Sequence, residues 1–246
     1  MQLRQIQHGV TDSTSERAFA AIAEGSAAHG DVHVADSQTA GRGRLGRVWV
    51  SEPGTGLYLS LVLLPAETIG AAALTMAAGL AVLDSVRELG VADAGLKWPN
   101  DVVINGAKLA GILVETRGLD PRTPHYVVGI GVNVLQREFP RELTEERPVT
   151  SLALEGCAAD RDRALAALLP HLVTRLEGIA DGTERLASDF LEATGLAGCE
   201  VVARTGEAEV SGTLVALSLE QGVTLRGANG AVRHIALEFV REFGAL

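Results

Sequence analysis

A chain of 246 residues that is 47% hydrophobic can bury a real core, as one large domain or two unequal ones. Its formal net charge of −10 argues against general nucleic-acid binding, so any anion site must be a local exception. Cys157 and Cys199 show no CxxC and no metal-ligand spacing, which reads as buried free thiols in a reducing, cytoplasmic setting. The N-terminal MQLRQIQHG lacks the apolar segment of a secretory signal. The longest uncharged apolar run, Thr68 to Leu83, is too short for a bilayer and reads as a buried helix.

In chain order, Ser13 and Glu16 have capping-box spacing and predict a helix to about Glu24. Asp31–Asp36 alternates like a strand, and Gly56–Leu64 reads as a largely buried one. A long Ala-rich helix is expected from about Ala66 to Leu89. Gly95–Glu115 then predicts a hairpin with Asn105-Gly106 at a type I′ turn. His125–Val134 is a further strand, whose Gly129 and Gly131 leave room for close approach. Two helices follow, near Arg161–Gly178 and Thr183–Thr194. From Glu200 onward, short alternating segments separated by Gly-containing turns predict a small all-β module on an α/β domain.

Three features bear on chemistry. GRGRLGRVW (Gly41–Trp49) matches both a dinucleotide fingerprint and a kinase glycine loop, and both matches fail on context. No helix opens after Gly46, where RVWVSEPG follows, and no VAIK, HRD or DFG segment lies downstream. What remains is a turn with Arg42, Arg44 and Arg47, suited to a phosphate or carboxylate and equally readable as a solvated basic turn. Only two of the 21 basic residues are lysines, Lys97 and Lys108. In that background Lys97 of KWPND reads as a point charge for a carboxylate and a phosphate, with Trp98 as core. Asn133 offers paired donor and acceptor groups to an adenine edge, although a turn or cap role is the commoner use of a lone Asn.

Taken together, DSTS, SQTAGRGRLGRVWVS, GLYLSLVL, KWPNDVVINGAKLAGILVE and GIGVNV resemble biotin–protein ligase, in the form lacking an N-terminal DNA-binding domain. The resemblance covers nearly the whole chain. It implies a mixed β-sheet with flanking helices, as in class II aminoacyl-tRNA synthetases, over residues 1–196, and an SH3-like barrel over 197–246. It implies that Ser13, Thr14, Gln38 and the Gly41–Arg42 backbone hold the ureido end of biotin, with Gly111 and Gly129 lining the slot. Arg42 and Arg44 would close over biotin and the phosphates, while Arg47 would meet the adenylate. Trp49 would stack on adenine and Asn133 would bond its edge. Lys97 would contact the biotin carboxylate and α-phosphate, Asp101 reads as a strand-end cap ahead of a residue that steers or deprotonates the incoming lysine, and Mg2+ would arrive with ATP.

The implied reaction activates biotin with ATP to biotinyl-5′-AMP, then transfers biotin to a lysine of a carboxylase carrier domain. No nucleic acid or membrane partner is expected, since DSTS begins by residue 12 and leaves no room for a helix-turn-helix. Monomer and sheet-edge homodimer both stay open. The alternative within the superfamily, a lipoate or octanoate ligase, would carry an RRxxGGG loop, which is not found.

Overall fold

Seven strands between Arg4 and Asn133 form one mixed sheet in the computed structural model, which describes residues 1–118, 120–206 and 208–246. They are β1 (Arg4–Thr11), β2 (Asp31–Gln38), β3 (Gly56–Leu63), β4 (Ala94–Lys97), β5 (Asp101–Ile104), β6 (Ala107–Glu115) and β7 (Tyr126–Asn133), in the order β1-β2-β3-β7-β6-β5-β4. β1 is parallel to β2 and the remaining neighbours are antiparallel. The helices are α1 (Thr14–Ala23), α2 (Ala71–Glu88), α3 (Arg141–Glu146), α4 (Arg161–Glu177) and α5 (Thr183–Thr194).

Every residue of β3 is buried, because both faces of the sheet are covered. Leu57, Leu59, Leu61 and Leu63 face the main core beneath α2, α4 and α5. Val62 and Val127 point the other way and hold α1 through Ala18 and Phe19. This side of the sheet also carries the site. Asn105 (φ 49) and Gly106 (φ 81) adopt the two left-handed conformations that the expected type I′ turn requires.

Several expectations change, and one strand was unforeseen. The cysteines are free but not buried: Cys157 is partly exposed and Cys199 exposed. The Ser13–Glu16 capping box does not form: Ser13 is the N-cap residue, but its hydroxyl makes no cap bond. Glu16 is drawn outward by Arg42 and Arg117 instead. Helix α2 starts later than expected, because the Ile69 N–H donates to the Tyr126 hydroxyl (2.9 Å) and holds the entry extended up to Gly70. The polar edge strand β1 had no hydrophobic signal; hydrogen bonding to β2 defines it.

The C-terminal strands β8 (Glu200–Arg204), β9 (Glu209–Ser218), β10 (Gly222–Arg226), β11 (Val232–Ile235) and β12 (Glu242–Ala245) form an antiparallel sheet in the order β11-β10-β9-β8-β12. Five such strands are consistent with the expected SH3-like module, although among the described residues β11 and β12 remain edges and do not close a barrel. Trp98 joins the two sheets. Its Nε1–H donates to Val240 O (3.0 Å), and its ring stacks on Phe243 with centroids 5.3 Å apart. Among the described residues no helix is long and apolar enough to cross a membrane.

Candidate active site

On the α1 side of the sheet, the strands carry small residues where α1 no longer covers them. Gly111 of β6 pairs with Gly131 of β7, and Gly129 pairs with Ser60 of β3. Without side chains these positions open a cleft of about 670 Å³, within the usual range for small-molecule sites. The floor is therefore made by sequence and register together: a one-residue slip would fill it with Val128, Ile130 and Val132.

The first turn of α1 enters this cleft with a chain of hydrogen bonds. Gln38 Oε1 accepts from the Thr14 backbone N–H (2.8 Å) and from the Thr14 hydroxyl (3.2 Å). Thr14 Oγ1 lies 2.8 Å from Ser60 Oγ, which lies 3.0 Å from Ser15 Oγ. At the other end Gln38 Nε2 donates to Ser51 Oγ (3.0 Å), and Ser51 donates to Trp49 O (3.2 Å). With Thr14 donating to Gln38, Ser60 must donate to Thr14 and Ser15 to Ser60. Ser15, Ser51 and Ser60 were not anticipated from sequence. A hydroxyl inside the apolar GLYLSLVLL was the one signal available for Ser60, which is fully buried. Ser13 is buried and also borders the cleft.

Gly41–Trp49 folds into a short hairpin over the cleft. Gly43 N–H donates to Arg47 O (2.8 Å), Trp49 N–H donates to Gly41 O (3.0 Å), and Leu45 sits at the tip with φ 56. Gly41 is needed for room, since a Cβ there would overlap the Trp49 carbonyl and approach Ser51 Oγ to 2.9 Å. Each arginine is tied to a different element. Arg42 bridges Glu16 (2.6 Å) and Glu115 (2.8 Å). Arg44 donates to Asn100 Oδ1 (3.1 Å), and Arg47 lies 3.6 Å from Glu146. Partial desolvation lowers the pKa of Arg44, although the residue is exposed overall, and the half-buried Glu115 carboxyl is raised by desolvation against the pull of Arg42.

The two lysines are placed differently. The Lys97 ammonium is about half exposed at the cleft wall and pairs with Glu242 of the C-terminal sheet (3.3 Å). Lys108 is 11% exposed, lies 2.5 Å from Asp101 Oδ1, and sits 5.4 Å from the centroid of the Trp49 ring. A Cβ on Gly111 would come within 3.1 Å of its Nζ. Desolvation lowers the pKa of Lys108 although Asp101 opposes the shift. Asp101 is thus a buried counter-ion more than a strand-end cap. The sequence singled out Lys97; the register of β5 and β6 puts Lys108 beside the glycine floor.

Trp49 lies against the backbone of Gly131 and Gly111, where a Cβ would come within 2.7 Å and 3.0 Å of its indole atoms. It forms a wall shared with a smaller pocket lined by Val48, Phe139, Pro140, Leu143 and Asn133. Asn133 is buried there, its Nδ2 donating to Thr150 O (2.9 Å). Residues 148–150 run along Lys108, with Lys108 N–H donating to Pro148 O and Thr150 N–H to Lys108 O (both 2.9 Å). Arg147 borders both pockets and Arg241 borders the larger one; neither stood in a recognisable motif. Basic side chains outnumber acidic ones around the cleft, a local exception to the net charge of −10.

A glycine floor, a hydroxyl–amide chain, an arginine hairpin and an adjoining apolar pocket define a site for an elongated ligand carrying an anionic group and a flat ring. Residues 8–133 match the model of the biotin/lipoate A/B protein ligase family. The chain is 35% identical over 230 residues to a biotin–[acetyl-CoA-carboxylase] ligase of Paracoccus denitrificans, covering 89% of this chain and 93% of that protein. It is 41% identical over 143 residues to the bifunctional ligase/repressor BirA of Bacillus subtilis, covering 57% of this chain and 44% of the relative, so it spans less than half of that protein's length. A biotin protein ligase from Aquifex aeolicus, solved with biotin and ATP, superimposes with a TM-score of 0.79 at 33% identity, covering 98% of this chain and 97% of that one. The chain belongs to the biotin/lipoate A/B protein ligase family.

Proposed function

We propose that the protein activates biotin with ATP to biotinyl-5′-AMP and transfers the biotinyl group to a lysine of a carboxylase carrier domain. The observation that carries this reading is the hydroxyl–amide chain at the closed end of a cleft whose far end holds a desolvated lysine under an arginine hairpin. A ureido group needs acceptors for two N–H groups and a donor for its carbonyl; Ser13, Thr14, Ser15 and Gln38 offer that mixture, whereas an aliphatic lipoyl or octanoyl end would leave it unpaired. The biotin ligase relatives support the biotin side of the family over the lipoate side.

In the first step a biotin carboxylate oxygen attacks the α-phosphorus of ATP, and pyrophosphate leaves. In the second a neutral lysine amine of the carrier attacks the mixed-anhydride carbonyl, and AMP leaves. No enzyme nucleophile is required; the protein aligns the reactants and offsets charge. The geometry favours Lys108 for the point charge between carboxylate and α-phosphate. Lys97 at the rim serves the phosphates more distantly. Arg44 and Arg47 face the triphosphate from the hairpin, and Gly111 and Gly129 let biotin lie on backbone. Trp49 supplies the flat wall for adenine, and Asn133 Oδ1 accepts from its amino group. Mg2+ enters with the nucleotide, its usual mode of binding. Residues 197–246 form a second domain that completes the rim through Glu238, Arg241 and Glu242.

Biotin-, lipoate- and octanoate-dependent ATP–pyrophosphate exchange, followed by transfer to an apo carrier domain, tests the reading. Exchange with biotin and labelling of the carrier lysine are expected; exchange with lipoate alone would refute it.

A further inference from the structure

Arg42 differs from the other two arginines of the hairpin. Its Nη1 is 2.6 Å from Glu16 and its Nη2 is 2.8 Å from Glu115, so both terminal nitrogens are committed to carboxylates of the protein. Its Nε is buried without a hydrogen-bond partner among the described residues. The two carboxylates come from separate elements, Glu16 from the first turn of α1 and Glu115 from the last residue of β6. Glu16 is also held by Arg117, one of whose nitrogens donates to it at 3.0 Å, and the Arg117 guanidinium sits 4.2 Å from the Phe19 ring of the same helix. The four side chains of this network, Arg42, Glu16, Glu115 and Arg117, are only a quarter to a half exposed, which limits screening by solvent.

By contrast the hairpin beyond Arg42 is open. Leu45 and Val48 are 84% and 71% exposed, and Arg47 reaches Glu146 only at 3.6 Å. Arg44 is held by a hydrogen bond to Asn100 Oδ1 (3.1 Å), against two ion pairs at Arg42, so the hairpin is held more firmly at its base than at its tip. The base is fixed on the same helical turn that supplies Thr14 and Ser15 to the hydroxyl–amide chain.

Resting on the functional reading above, we propose that Arg42 is the anchor of the lid and not a contact to the reacting phosphates. Glu16 and Glu115 form its socket, and this latch retains the acyl adenylate until a carrier lysine arrives. Glu16 and Glu115 are positioning residues. Ligand bound against Thr14 and Ser15 fixes the first turn of α1, and so fixes Glu16 and the base of the lid. The reacting anions are left to Lys108, Arg44 and Arg47.

The test measures release of labelled biotinyl-5′-AMP from the full-length protein without a carrier domain, together with labelling of bystander albumin. Glu16→Gln/Glu115→Gln should speed release at least tenfold, raise albumin labelling in step, and raise the biotin KM more than it lowers kcat for pyrophosphate exchange. Glu115→Asp should return part of the retention. Arg42→Ala should match the double variant, and combining all three changes should add nothing more, since they break one connection. Unchanged release in the double variant, or effects of Arg42→Ala and the double variant that simply add, would overturn the latch. So would a loss of kcat in Arg42→Ala with retention intact. A wild type that forms no adenylate from biotin and ATP would instead sink the functional reading, and the latch with it.

Discussion

Replacing Lys108 by Met keeps side-chain volume and removes the ammonium from beside Gly111 and Trp49. If Lys108 meets charge that develops at the α-phosphate, the loss compares with deletion of an oxyanion-site donor, about 3–4 kcal/mol, or roughly 10²–10³ in kcat. The same change leaves the Asp101 carboxylate, 18% exposed, without its partner at 2.5 Å. Breaking a buried pair from one side costs about 3 kcal/mol of stability. Stability and rate must therefore be separated. Lys108→Met/Asp101→Asn removes both charges and should recover most of the melting temperature without recovering the rate. Lys97→Ala breaks a 3.3 Å pair at a half-exposed position and should cost no more than about 1 kcal/mol, a factor of about five. Biotin-dependent pyrophosphate exchange at saturating substrates reads the rates, and thermal melting reads the fold. A hundredfold loss in Lys97→Ala beside a near-normal rate in Lys108→Met would refute the assignment.

Other substitutions probe the frame around the site. Gly131→Ala places a Cβ against the Trp49 indole in a strand that needs no glycine conformation; the KM for ATP should rise at least tenfold with little change in melting temperature, as steady-state kinetics would show. Trp98→Phe keeps a ring against Phe243 but leaves the Val240 carbonyl unpaired, and should cost about 1–3 kcal/mol by chemical denaturation. Burial holds the pKa of His33 at about 4, well below its ordinary 6.5, so on acidification the unfolded chain takes up the proton first. Stability should fall by about 2 kcal/mol between pH 7 and pH 5, and this slope should shrink in His33→Gln.

The parts legible in the sequence were those with a local signature. Alternation and turn chemistry defined β2, the Asn105-Gly106 hairpin and β8 to β11, a continuous apolar run defined β3, and β12 was not foreseen. The spacing of Gly129 and Gly131 pointed to close approach, which the pairing of Gly131 with Gly111 made into a floor. The parts that escaped were set by partners distant in sequence. Ser13 and Glu16 have the same separation whether they cap a helix or reach outward, and only Arg42 and Arg117 decide between the two. Lys97 and Lys108 are equally conspicuous in an arginine-rich chain, and burial beside Asp101 tells them apart. Edge strand β1 is held by hydrogen bonds that hydrophobic patterning does not report.

Under the proposed reaction, whose intermediate is an amine-reactive anhydride, the shortage of lysines has a meaning of its own. Apart from the chain terminus, the molecule carries just two primary amines, and each stands against a carboxylate, Lys97 against Glu242 and Lys108 against Asp101. The terminal ammonium faces one as well, in Glu177. Guanidinium groups supply nearly all the remaining positive charge and stay protonated at any physiological pH. In that reading, an activated acyl group that strays from the cleft meets a surface with few amines to acylate.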